Sequence, residues 1–360
     1  MDMVALELIK HLQQIESKDE FVVFVKPDED SACLRESKNT KIVEVNAAPY
    51  PIWEQVLLPL AVKKHKVDLL HCTSNTAPLF LSVPLVLTLH DIIYLEKLIL
   101  RQGTAYQKFG NLYRRWNVPK IVGNAKAILT VSEFERNRIL NFFNMPESVI
   151  HTVYNGVTEH FQKINDNTLL DQTKIKYNLP DQFIFFLGNT DPKKNVVGVL
   201  KAISMLKAKG ALPCKLLMLD INREYLSQIA SQIGDLSILN DIIFTGYVPN
   251  MDLPAIYSQA TLFLYPSLRE SFGIPLLEAM KCEVPVITSN TSSMPEIVGS
   301  AALLVDPLNP EEIANAISRL YHDLNLQKKL VQNGRTQADK FSWNQNARQT
   351  VDLYRMTLNP

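Results

Sequence analysis

The sequence predicts an α/β protein with two domains, each built on a parallel β-sheet that helices cover on both faces. Three observations lead to this fold class. Short β-branched segments alternate with longer helical patterns, which is typical of parallel sheets. The alternation stops in a polar stretch after residue 155 and starts again at residue 183. With 360 residues, of which 46% are apolar, the chain is long enough for two hydrophobic cores.

Five strand candidates lie in the first domain, which the sequence predicts over residues 1–165. Helical patterns lie between nearly every pair of them. The candidates are "FVVFV" (21–25), "DLLHC" (68–72), "LVLTLH" (85–90), "AILTV" (127–131) and "VIHTVYN" (149–155).

Six strand candidates follow in the second domain, predicted over residues 166–342: "FIFFLG" (183–188), "CKLLMLD" (214–220), "IIFTG" (242–246), "TLFLYPS" (261–267), "VPVITSN" (284–290) and "AALLVD" (301–306). Two helical patterns come next with no strand between them, and the second, roughly Trp343 to Met356, forms a separate segment over residues 343–360. Ligands of open parallel sheets bind outside the carboxyl ends of the strands. Two sheets that face each other therefore predict a site in the cleft between the domains.

The composition narrows the class of function. Basic and acidic residues balance at 37 each, so charge gives no case for nucleic-acid binding. The four cysteines form no CxxC pair, which predicts buried thiols rather than a disulfide framework or a zinc site. No apolar run approaches the ~18–20 residues that span a bilayer, and the acidic, amphipathic N-terminus is unlike a signal peptide. The predicted location is the cytoplasm.

One segment is strongly basic, with nine basic and two acidic residues between positions 97 and 138. Within it, "YQKFGNLYRRWNVPK" (106–120) mixes Arg and Lys with aromatic residues. This mixture suits a helix that lies on an anionic membrane surface, and it predicts peripheral contact with the cytoplasmic face of the membrane. A solvated basic helix face is the alternative.

Two lysines mark the start of the second domain. A strand ends at Gly188, a polar loop carries Lys193 and Lys194, and a helix begins near Asn195. Lysines beside a helix N-terminus favour a phosphate, because free N–H groups, the helix dipole and the ammonium charges all attract an anion. The alternative is that both are solvated loop charges. The chain has no GxxxxGK[ST] and no GxGxxG after a strand, so ATPase and dinucleotide functions lose their main support.

The stretch "YPSLRESFGIPLLEAM" (265–280) predicts a second anion site. Pro275 suits the first position of a helix, where a missing N–H is harmless. The main-chain amides before it can then cradle an anion, and the glycine among them lets the backbone approach closely. The residues of this loop are Ser271, Phe272, Gly273 and Ile274.

Two carboxylates flank this loop. Glu270 follows the strand at its carboxyl end, and Glu278 is expected in the first helical turn. A carboxylate beside a diphosphate is electrostatically unfavourable unless it accepts hydrogen bonds from neighbouring hydroxyls, such as those of a ribose or a sugar. The alternatives are that Glu278 complements the helix dipole and that Glu270 is a surface acid.

Together these motifs resemble the retaining glycosyltransferases of family four, also called glycosyl transferases group 1, and among them the mannosyltransferases. The second half adds "GNTDPKKN" and "TSNTSSMPEIVGSAALLVDPLNPEEIANAI", and the first half adds "VDLLHCTSN", "VLTLHDIIYL", "ILTVSEFERNRI" and "VYNGV". The resemblance covers nearly the whole chain. It implies a GT-B fold, in which two Rossmann-like domains face each other across a cleft and the final helix crosses back to the first domain.

The resemblance also implies roles for individual residues. Glu278 would bind the ribose hydroxyls of a nucleotide-diphosphate sugar and Glu270 the hydroxyls of the transferred sugar. The 271–274 amides and Lys194, with Lys193, would neutralise the diphosphate as it leaves. His90, at the end of "VLTLH", would face the donor sugar, although a strand-end histidine is more often only a satisfied polar residue.

Two further residues, Gly188 in the restart loop and Tyr247 beside the nucleotide base, complete the implied donor site. The implied chemistry needs no metal and no cofactor, and "DED" (28–30), which has the spelling of a metal-binding motif, lies far from the donor motifs. Retention would follow from front-face transfer, with the leaving phosphate helping to deprotonate the acceptor. We expect GDP-mannose as donor and a glycan or lipid-linked acceptor in surface polysaccharide biosynthesis.

The sequence departs from the family pattern in two places. Asn189 stands where many relatives carry an arginine. The first strand and its Gly-Gly loop are expected to be missing, since the sequence starts directly with "MDMVALELIKHL". This departure leaves open an alternative function, a degenerate or truncated GT-B subunit that binds a nucleotide sugar without turnover. A GT-B epimerase or phosphorylase fits the motifs less well.

Overall fold

A computed structural model describes residues 3–16, 18–27, 33–96 and 105–359, with only the main chain at residues 105–108. The "DED" motif at 28–30 and residues 97–104 of the basic segment lie outside this range. The chain divides into two compact units. Unit 1 comprises Met1–Gly156 with Ser342–Pro360, and unit 2 comprises Val157–Phe341.

The boundary between the units falls earlier than the predicted one at residue 165. Residues 157–165 pack on unit 2, where the ring of Phe161 contacts the ring of Tyr257 with 6.1 Å between the centroids. Lys163 Nζ donates to the main-chain oxygen of Ser258 at 2.7 Å. These tertiary contacts, which local sequence does not reveal, assign the segment to unit 2.

The described part of unit 1 up to residue 152 contains helices, helical turns and six short strands. In chain order these are α1 (Met3–Leu12), β1 (Phe21–Val25), β2 (Thr40–Glu44), α2 (Tyr50–Ile52), a π-helical turn (Trp53–Leu57), α3 (Leu58–His65), β3 (Leu70–Cys72), β4 (Leu85–Thr88), α4 (Ile93–Glu96), α5 (Ala105–Val122), β5 (Ala127–Thr130), α6 (Glu133–Phe143), a 3₁₀ turn (Glu147–Val149) and β6 (Ile150–Thr152).

The strands of unit 1 form two separate parallel sheets among the described residues. β1 pairs with β2, and the other sheet has the order β3-β4-β5-β6. Every residue of β4 and β5 is buried, as expected for strands covered on both faces. The sequence did not predict β2, "TKIVE", because its lysine and glutamate are exposed and interrupt the apolar pattern of an edge strand.

Unit 2 holds the remaining strands and helices α7 to α14. These are α7 (Asn167–Tyr177), β7 (Phe183–Phe186), a 3₁₀ turn (Pro192–Lys194), α8 (Val196–Ala208), β8 (Lys215–Met218), α9 (Arg223–Ile233), a 3₁₀ turn (Leu236–Asp241), β9 (Ile242–Phe244), a 3₁₀ turn (Asn250–Asp252), α10 (Leu253–Gln259), β10 (Leu262–Tyr265), α11 (Ile274–Lys281), β11 (Val286–Ser289), α12 (Met294–Val298), β12 (Ala302–Val305), α13 (Pro310–His322) and α14 (Leu324–Ala338).

One parallel six-stranded sheet forms the centre of unit 2, in the order β9-β8-β7-β10-β11-β12. This is the doubly wound order 3-2-1-4-5-6, in which β7 takes the first place. β7 and β10 are direct neighbours with Phe185 opposite Phe263, and both strands are fully buried. Their carboxyl ends therefore lie at the same edge of the sheet, and the loops that follow them start side by side.

Helix α15 (Trp343–Leu358) belongs to unit 1. Its Ala347 and Val351 pack against Leu8 and Leu12 of α1. Its Tyr354 hydroxyl lies 2.6 Å from Nδ1 of His71, and burial lowers the pKa of this histidine to about 3, which keeps the ring neutral.

None of the described helices is both long and apolar enough to cross a membrane.

Candidate functional site

Two loops of unit 2 are tied together at the carboxyl edge of its sheet. The loop after β7 carries Lys193 and Lys194, and the loop after β10 carries Glu270. The main-chain nitrogen of Leu268, in the second loop, donates to the main-chain oxygen of Lys193 at 2.7 Å. This bond fixes the distance between the two loops.

Asn195 holds the same region from the start of α8. Its main chain has a φ of 61°, a left-handed conformation that asparagine tolerates better than most residues. Its side-chain Nδ2 donates to Pro266 O at 3.0 Å and to Pro307 O at 2.7 Å. Its Oδ1 accepts from the main-chain nitrogen of Gly198 at 3.2 Å and so caps the helix. One side chain therefore connects three segments of unit 2.

Lys194, Tyr265 and Glu270 form a compact triad. Lys194 Nζ donates to Glu270 Oε1 at 2.7 Å and to the Tyr265 hydroxyl at 2.6 Å. The hydroxyl donates in turn to the same Oε1 at 2.9 Å. The side chains of Lys194 and Glu270 are only 16% and 11% exposed, so their charges interact with little screening.

Tyr265 is a fixed hydrogen-bond donor within this triad. Its side chain is fully buried, and burial together with the charge of Glu270 raises its pKa well above the ordinary value. The Lys194 ammonium also lies 4.8 Å from the centre of its ring, a cation–π distance. The hydroxyl therefore stays protonated and holds both charged groups in place.

The main chain of Glu270 is anchored by two serines that precede α12. Ser292 Oγ accepts from Glu270 N at 3.1 Å and donates to Glu270 O at 2.5 Å. Ser293 Oγ, which is fully buried, lies 3.0 Å from the main-chain oxygens of Glu270 and Phe272. These bonds preorganise the carboxylate, because its backbone cannot shift without breaking them.

Glu278, like Glu270, accepts a hydrogen bond from the hydroxyl of a buried tyrosine. Its Oε2 accepts from the hydroxyl of Tyr257 at 3.1 Å, and Tyr257 is fully buried. Burial raises the pKa of Glu278 to about 7, although the hydrogen bond from Tyr257 opposes the change. The group is therefore poised between its neutral and charged forms near physiological pH.

Two details of α11 differ from the prediction. The helix begins at Ile274, after Gly273 as N-cap, so Pro275 occupies its second position rather than its first. Glu278 consequently lies in the second helical turn instead of the first. The cause is the Ser271–Gly273 turn, in which Gly273 takes a φ of 102° that side-chain-bearing residues rarely adopt.

The loop residues before α11 divide between surface and core. Ser271 and Ile274 are partly exposed. Phe272 is 4% exposed, and its ring packs edge-on against Phe341 at 5.8 Å between centroids. The Phe272 side chain is thus a core residue.

Three predicted donor residues make no described side-chain contact with the triad. A side chain on Gly188 would clash with the Phe186 ring, since its Cβ would lie 2.3 Å from the nearest ring carbon. Lys193 is half-exposed and its Nζ lies 3.7 Å from Asp191. Tyr247, on the loop after β9, is 74% exposed, and no described contact joins it to Lys194.

His90 lies in unit 1, two residues after β4. Its main-chain nitrogen donates to Asn75 Oδ1 at 2.7 Å, and its Nε2 lies 2.9 Å from the main-chain oxygen of Thr73. A carbonyl oxygen only accepts hydrogen bonds, so Nε2 carries a proton. The ring is therefore held in one orientation at the carboxyl edge of its sheet.

The basic–aromatic segment 106–120 forms most of α5. Three apolar side chains on this helix are exposed, Phe109 by 59%, Leu112 by 62% and Trp116 by 46%. Lys120 Nζ lies 4.2 Å from the centre of the Trp116 ring. Residues three, four and seven apart share one helix face, so these side chains form one apolar stripe with a basic end.

Sequence reasoning missed five residues that organise the site. Their partners are distant in sequence, so local patterns carried no direct signal; the one available hint was the position of an aromatic residue at the carboxyl end of a buried strand. The missed residues are Asn195, Tyr257, Tyr265, Ser292 and Ser293.

No three His, Cys, Asp or Glu side chains come together as a metal site in the part of the chain that the structure describes. Metal independence stays a prediction.

The polar groups of the site are one ammonium, two carboxylates, two buried tyrosine hydroxyls and a helix N-terminus. This set suits a ligand that carries both hydroxyls and negative charge.

Two family models match the chain over adjoining ranges. The model for glycosyltransferase family 4 matches residues 1–161, and the model for glycosyl transferases group 1 matches residues 170–337. Together they cover all but short segments.

Curated relatives and solved structures agree with this match. The chain is 33% identical to the O-antigen chain mannosyltransferase B of Escherichia coli over 246 residues, which cover 68% of this chain and 64% of the relative. It is 30% identical to a serotype-specific mannosyltransferase WbdA of the same species over 231 residues, 63% of this chain and 28% of the relative. The matched part is thus less than two thirds of either relative.

The crystal structure of HepE from Anabaena in complex with UDP and glucose superposes with a TM-score of 0.74 at 18% identity. The match covers 98% of this chain and 95% of HepE. At this identity the likeness establishes the fold, and the predicted GT-B fold class is confirmed.

Proposed function

The chain belongs to the glycosyltransferases that combine a family 4 domain with a group 1 domain, and on this premise we propose that it transfers mannose from GDP-mannose. The acceptor is a glycan or a lipid-linked sugar in surface polysaccharide biosynthesis. Two mannosyltransferases among its relatives support the choice of sugar. The observation that carries the proposal is the Lys194–Glu270 pair, where two sheet-edge loops bring a cation beside a hydroxyl-binding carboxylate.

Leaving-group stabilisation is the chemistry we propose for Lys194. Its ammonium and the α11 N-terminus interact with the diphosphate, on which negative charge develops as the sugar departs. Lys193, which is half-exposed beside it, adds a second positive charge. A metal ion is not required in this scheme.

The two carboxylates bind hydroxyls of the donor. Glu270, fixed by Tyr265 and the two serines, accepts hydrogen bonds from the sugar that moves. Glu278 accepts them from the ribose, and His90 contacts the sugar from the first domain. The transfer retains the configuration by front-face attack, with the leaving phosphate taking the acceptor proton.

A binding and turnover screen tests this function. Calorimetry with GDP and UDP gives the base preference, and nucleotide release is measured from GDP-mannose, UDP-glucose, UDP-galactose and UDP-N-acetylglucosamine. We expect GDP to bind about 10-fold tighter than UDP, a difference of about 1.4 kcal/mol. We expect GDP-mannose to be the donor that is consumed.

A matched pair of variants completes the screen. Lys194→Ala should abolish GDP-mannose turnover, whereas Lys201→Ala, at an exposed position on α8, should leave it unchanged. If the chain binds neither nucleotide and consumes none of the donors, the proposed function is wrong.

Nucleotide-sugar binding without turnover is the second candidate. It is favoured by the arrangement of the described strands of unit 1 in two separate sheets rather than one. Tight binding of GDP-mannose without release of GDP, with any acceptor from a mannan panel, would identify the chain as this kind of subunit.

We also propose that the exposed apolar stripe of α5, Phe109, Leu112 and Trp116, rests on an anionic membrane. Sedimentation with phosphatidylglycerol vesicles tests it. Leu112→Glu together with Trp116→Glu should release the protein, and Ile175→Glu, at an 82% exposed position on unit 2, should not. Equal binding of both variants would overturn the membrane contact.

A further inference from the structure

Unit 1 contains a buried carboxylate that the proposed donor site does not use. Glu54 lies in the π-helical turn between α2 and α3, and only 2% of the residue is exposed. Among the described residues, its hydrogen-bond donors are all neutral. Burying a charge is costly, and π-helical turns occur frequently at functional sites. Both features make Glu54 a candidate for a functional role.

Four donors surround the Glu54 carboxylate. Its Oε1 accepts from the Tyr50 hydroxyl at 2.8 Å and from Thr76 Oγ1 at 2.6 Å. Its Oε2 accepts from the Tyr113 hydroxyl at 2.5 Å and from Gln55 Nε2 at 3.1 Å. A carboxylate offers about four acceptor positions, so these donors use all of them. The group therefore anchors its neighbours and has no acceptor position left for a ligand.

The two tyrosines are permanent donors to Glu54. Burial raises the pKa of Tyr50 and of Tyr113 well above the ordinary value, and the negative charge of Glu54 raises both further. Each hydroxyl therefore keeps its proton at physiological pH. Since Tyr50 belongs to α2 and Tyr113 to α5, the carboxylate connects these two helices.

Thr76 connects the carboxylate to the loop after β3, and this loop holds His90. Asn75 Oδ1 accepts from His90 N at 2.7 Å, and Thr73 O lies 2.9 Å from His90 Nε2. Thr76, which is 4% exposed, directly follows Asn75 in the chain. The bond from Thr76 to Glu54 therefore fixes the loop that sets the orientation of the imidazole.

Two amide side chains hold the next part of the same loop. Asn117, fully buried on α5, donates from Nδ2 to Ala77 O at 2.9 Å, and its Oδ1 accepts from Ala77 N at 3.3 Å. Gln55 Oε1 accepts from Leu79 N at 2.9 Å. Because Gln55 also donates to Glu54, these contacts and the carboxylate form one connected set. We call this set the Glu54 network; its members are Tyr50, Glu54, Gln55, Thr76, Tyr113 and Asn117.

We propose that Glu54 is a positioning residue for the transfer reaction and holds the His90 imidazole in place through Thr76 and the loop after β3. The inference rests on the role proposed above for His90. Stability alone is a poor reason for a charge here, because well-packed apolar residues often stabilise a core as well as buried ionic groups do. A charge with four fixed donors instead defines one geometry, and reacting groups need to be held within about 0.5 Å.

A matched pair of variants at Thr76 tests this role. Valine has the shape of threonine without the hydroxyl, so Thr76→Val breaks the link between Glu54 and the loop, whereas Thr76→Ser keeps it. Glu54→Gln, which places an amide N–H against the donors of the carboxylate, is the third variant. Glu44→Gln, at an exposed position on β2, is its control. Hydrogen exchange at single amides, the thermal midpoint and GDP release from GDP-mannose are measured for each protein.

We expect the His90 amide to exchange about 10-fold faster in Thr76→Val and in Glu54→Gln than in the parent, because the loop that accepts its hydrogen bond opens more often. The Leu89 amide, which donates to Leu129 O within the sheet, should not change. At a temperature where every variant is folded, kcat should fall about 10-fold while KM changes little. Thr76→Ser and Glu44→Gln should keep the exchange rate and the kcat of the parent.

Two results would overturn the proposal. The first is equal exchange of the His90 amide in the parent and in Thr76→Val. The second is faster exchange at His90 with an unchanged kcat, which would mean that the Glu54 network serves only stability. The exchange measurement does not depend on turnover. If the parent consumes no donor, the proposed function fails, and exchange at His90 still decides whether Glu54 holds that residue in place.

Discussion

The ammonium of Lys194 lies 2.7 Å from the carboxylate of Glu270, and both side chains are largely buried. The sequence assigned these residues to different parts of a donor, the diphosphate and the transferred sugar. Their contact couples the two roles, since a change in either residue alters the charge that surrounds the other. Removing one member of a buried pair leaves an uncompensated charge, which destabilises a protein by about 3–5 kcal/mol.

Replacement of Glu270 should mainly reduce turnover. We expect Glu270→Ala to lower kcat by at least about 10²-fold while the KM for GDP-mannose changes less, because the lost contact is with the sugar in the transition state. Steady-state kinetics of GDP release measure both values. Glu283→Ala, which removes an acid paired with Arg335 beyond the end of α11, is the control and should keep both.

Replacement of Glu278 should mainly weaken nucleotide binding. Loss of its hydrogen bonds to the ribose should raise the Kd for GDP about 10-fold, or about 1.4 kcal/mol. Calorimetry with Glu278→Ala checks this, with Glu296→Ala on α12 as the control. An unchanged Kd would show that Glu278 does not bind the ribose.

The pKa of Glu278 predicts how stability changes with pH. The folded pKa is raised from 4.5 to about 7, so between these values the folded chain retains a proton that the unfolded chain has lost. The free energy of unfolding should therefore fall as pH rises through this window, by up to about 1.4 kcal/mol per pH unit. Above pH 7 this contribution should level off.

Urea unfolding of the parent and of Glu278→Gln at pH 5, 6, 7 and 8 isolates this dependence. The stability of the parent relative to the variant should decline up to about pH 7 and then stay constant, because glutamine does not titrate. A pH-independent difference between the two proteins would contradict the raised pKa.

Loss of the Tyr265 hydroxyl should loosen the triad while its ring stays in the core. We expect Tyr265→Phe to reduce kcat about 10-fold and to destabilise the chain by roughly 1–2 kcal/mol, since two buried hydrogen bonds are lost. Combining it with Glu270→Gln gives a double-mutant cycle. Strictly additive effects on kcat would mean that the hydroxyl does not act through Glu270.

Among the residues that hold the two sheet-edge loops of unit 2 in place, we expect Asn195 to contribute most to the stability of the fold. Asn195→Ala removes three hydrogen bonds and places alanine in a left-handed conformation, so we expect a loss of roughly 3 kcal/mol. Chemical denaturation provides the value. Asn309→Ala, at the N-cap of α13 with two weaker bonds, should lose only about 1 kcal/mol.

The strands of the fold were predictable where burial on both faces leaves an uninterrupted apolar run. "FIFF" of β7 and "LFLY" of β10 are of this kind, and both lie within the predicted segments. β2 lacks such a run, because Lys41 and Glu44 of this edge strand are exposed to water. Its pairing with β1 depends on tertiary contacts that no local pattern records.

The candidate site was predictable only in its charged residues. Glu270 and Glu278 stand out because they lie on either side of the predicted anion-binding loop 271–274. Tyr257 and Ser293 contact them from 21 and 23 residues away, so only the fold brings them in. Phe272 fits the loop pattern, yet its ring belongs to the core because Phe341 packs on it.

The return of α15 to unit 1 has a consequence for biosynthesis. Gly156 touches the main chain of Trp343 so closely that an added Cβ would lie 2.2 Å from its nitrogen, so the two crossings of the chain meet at one point. During translation, all of unit 2 is synthesised before α15. The apolar face of α1 therefore stays uncovered until Ala347 and Val351 have been made. Helix α1 is thus covered only after unit 2 has been made, and a nascent chain stalled before α15 presents that face to chaperones and proteases.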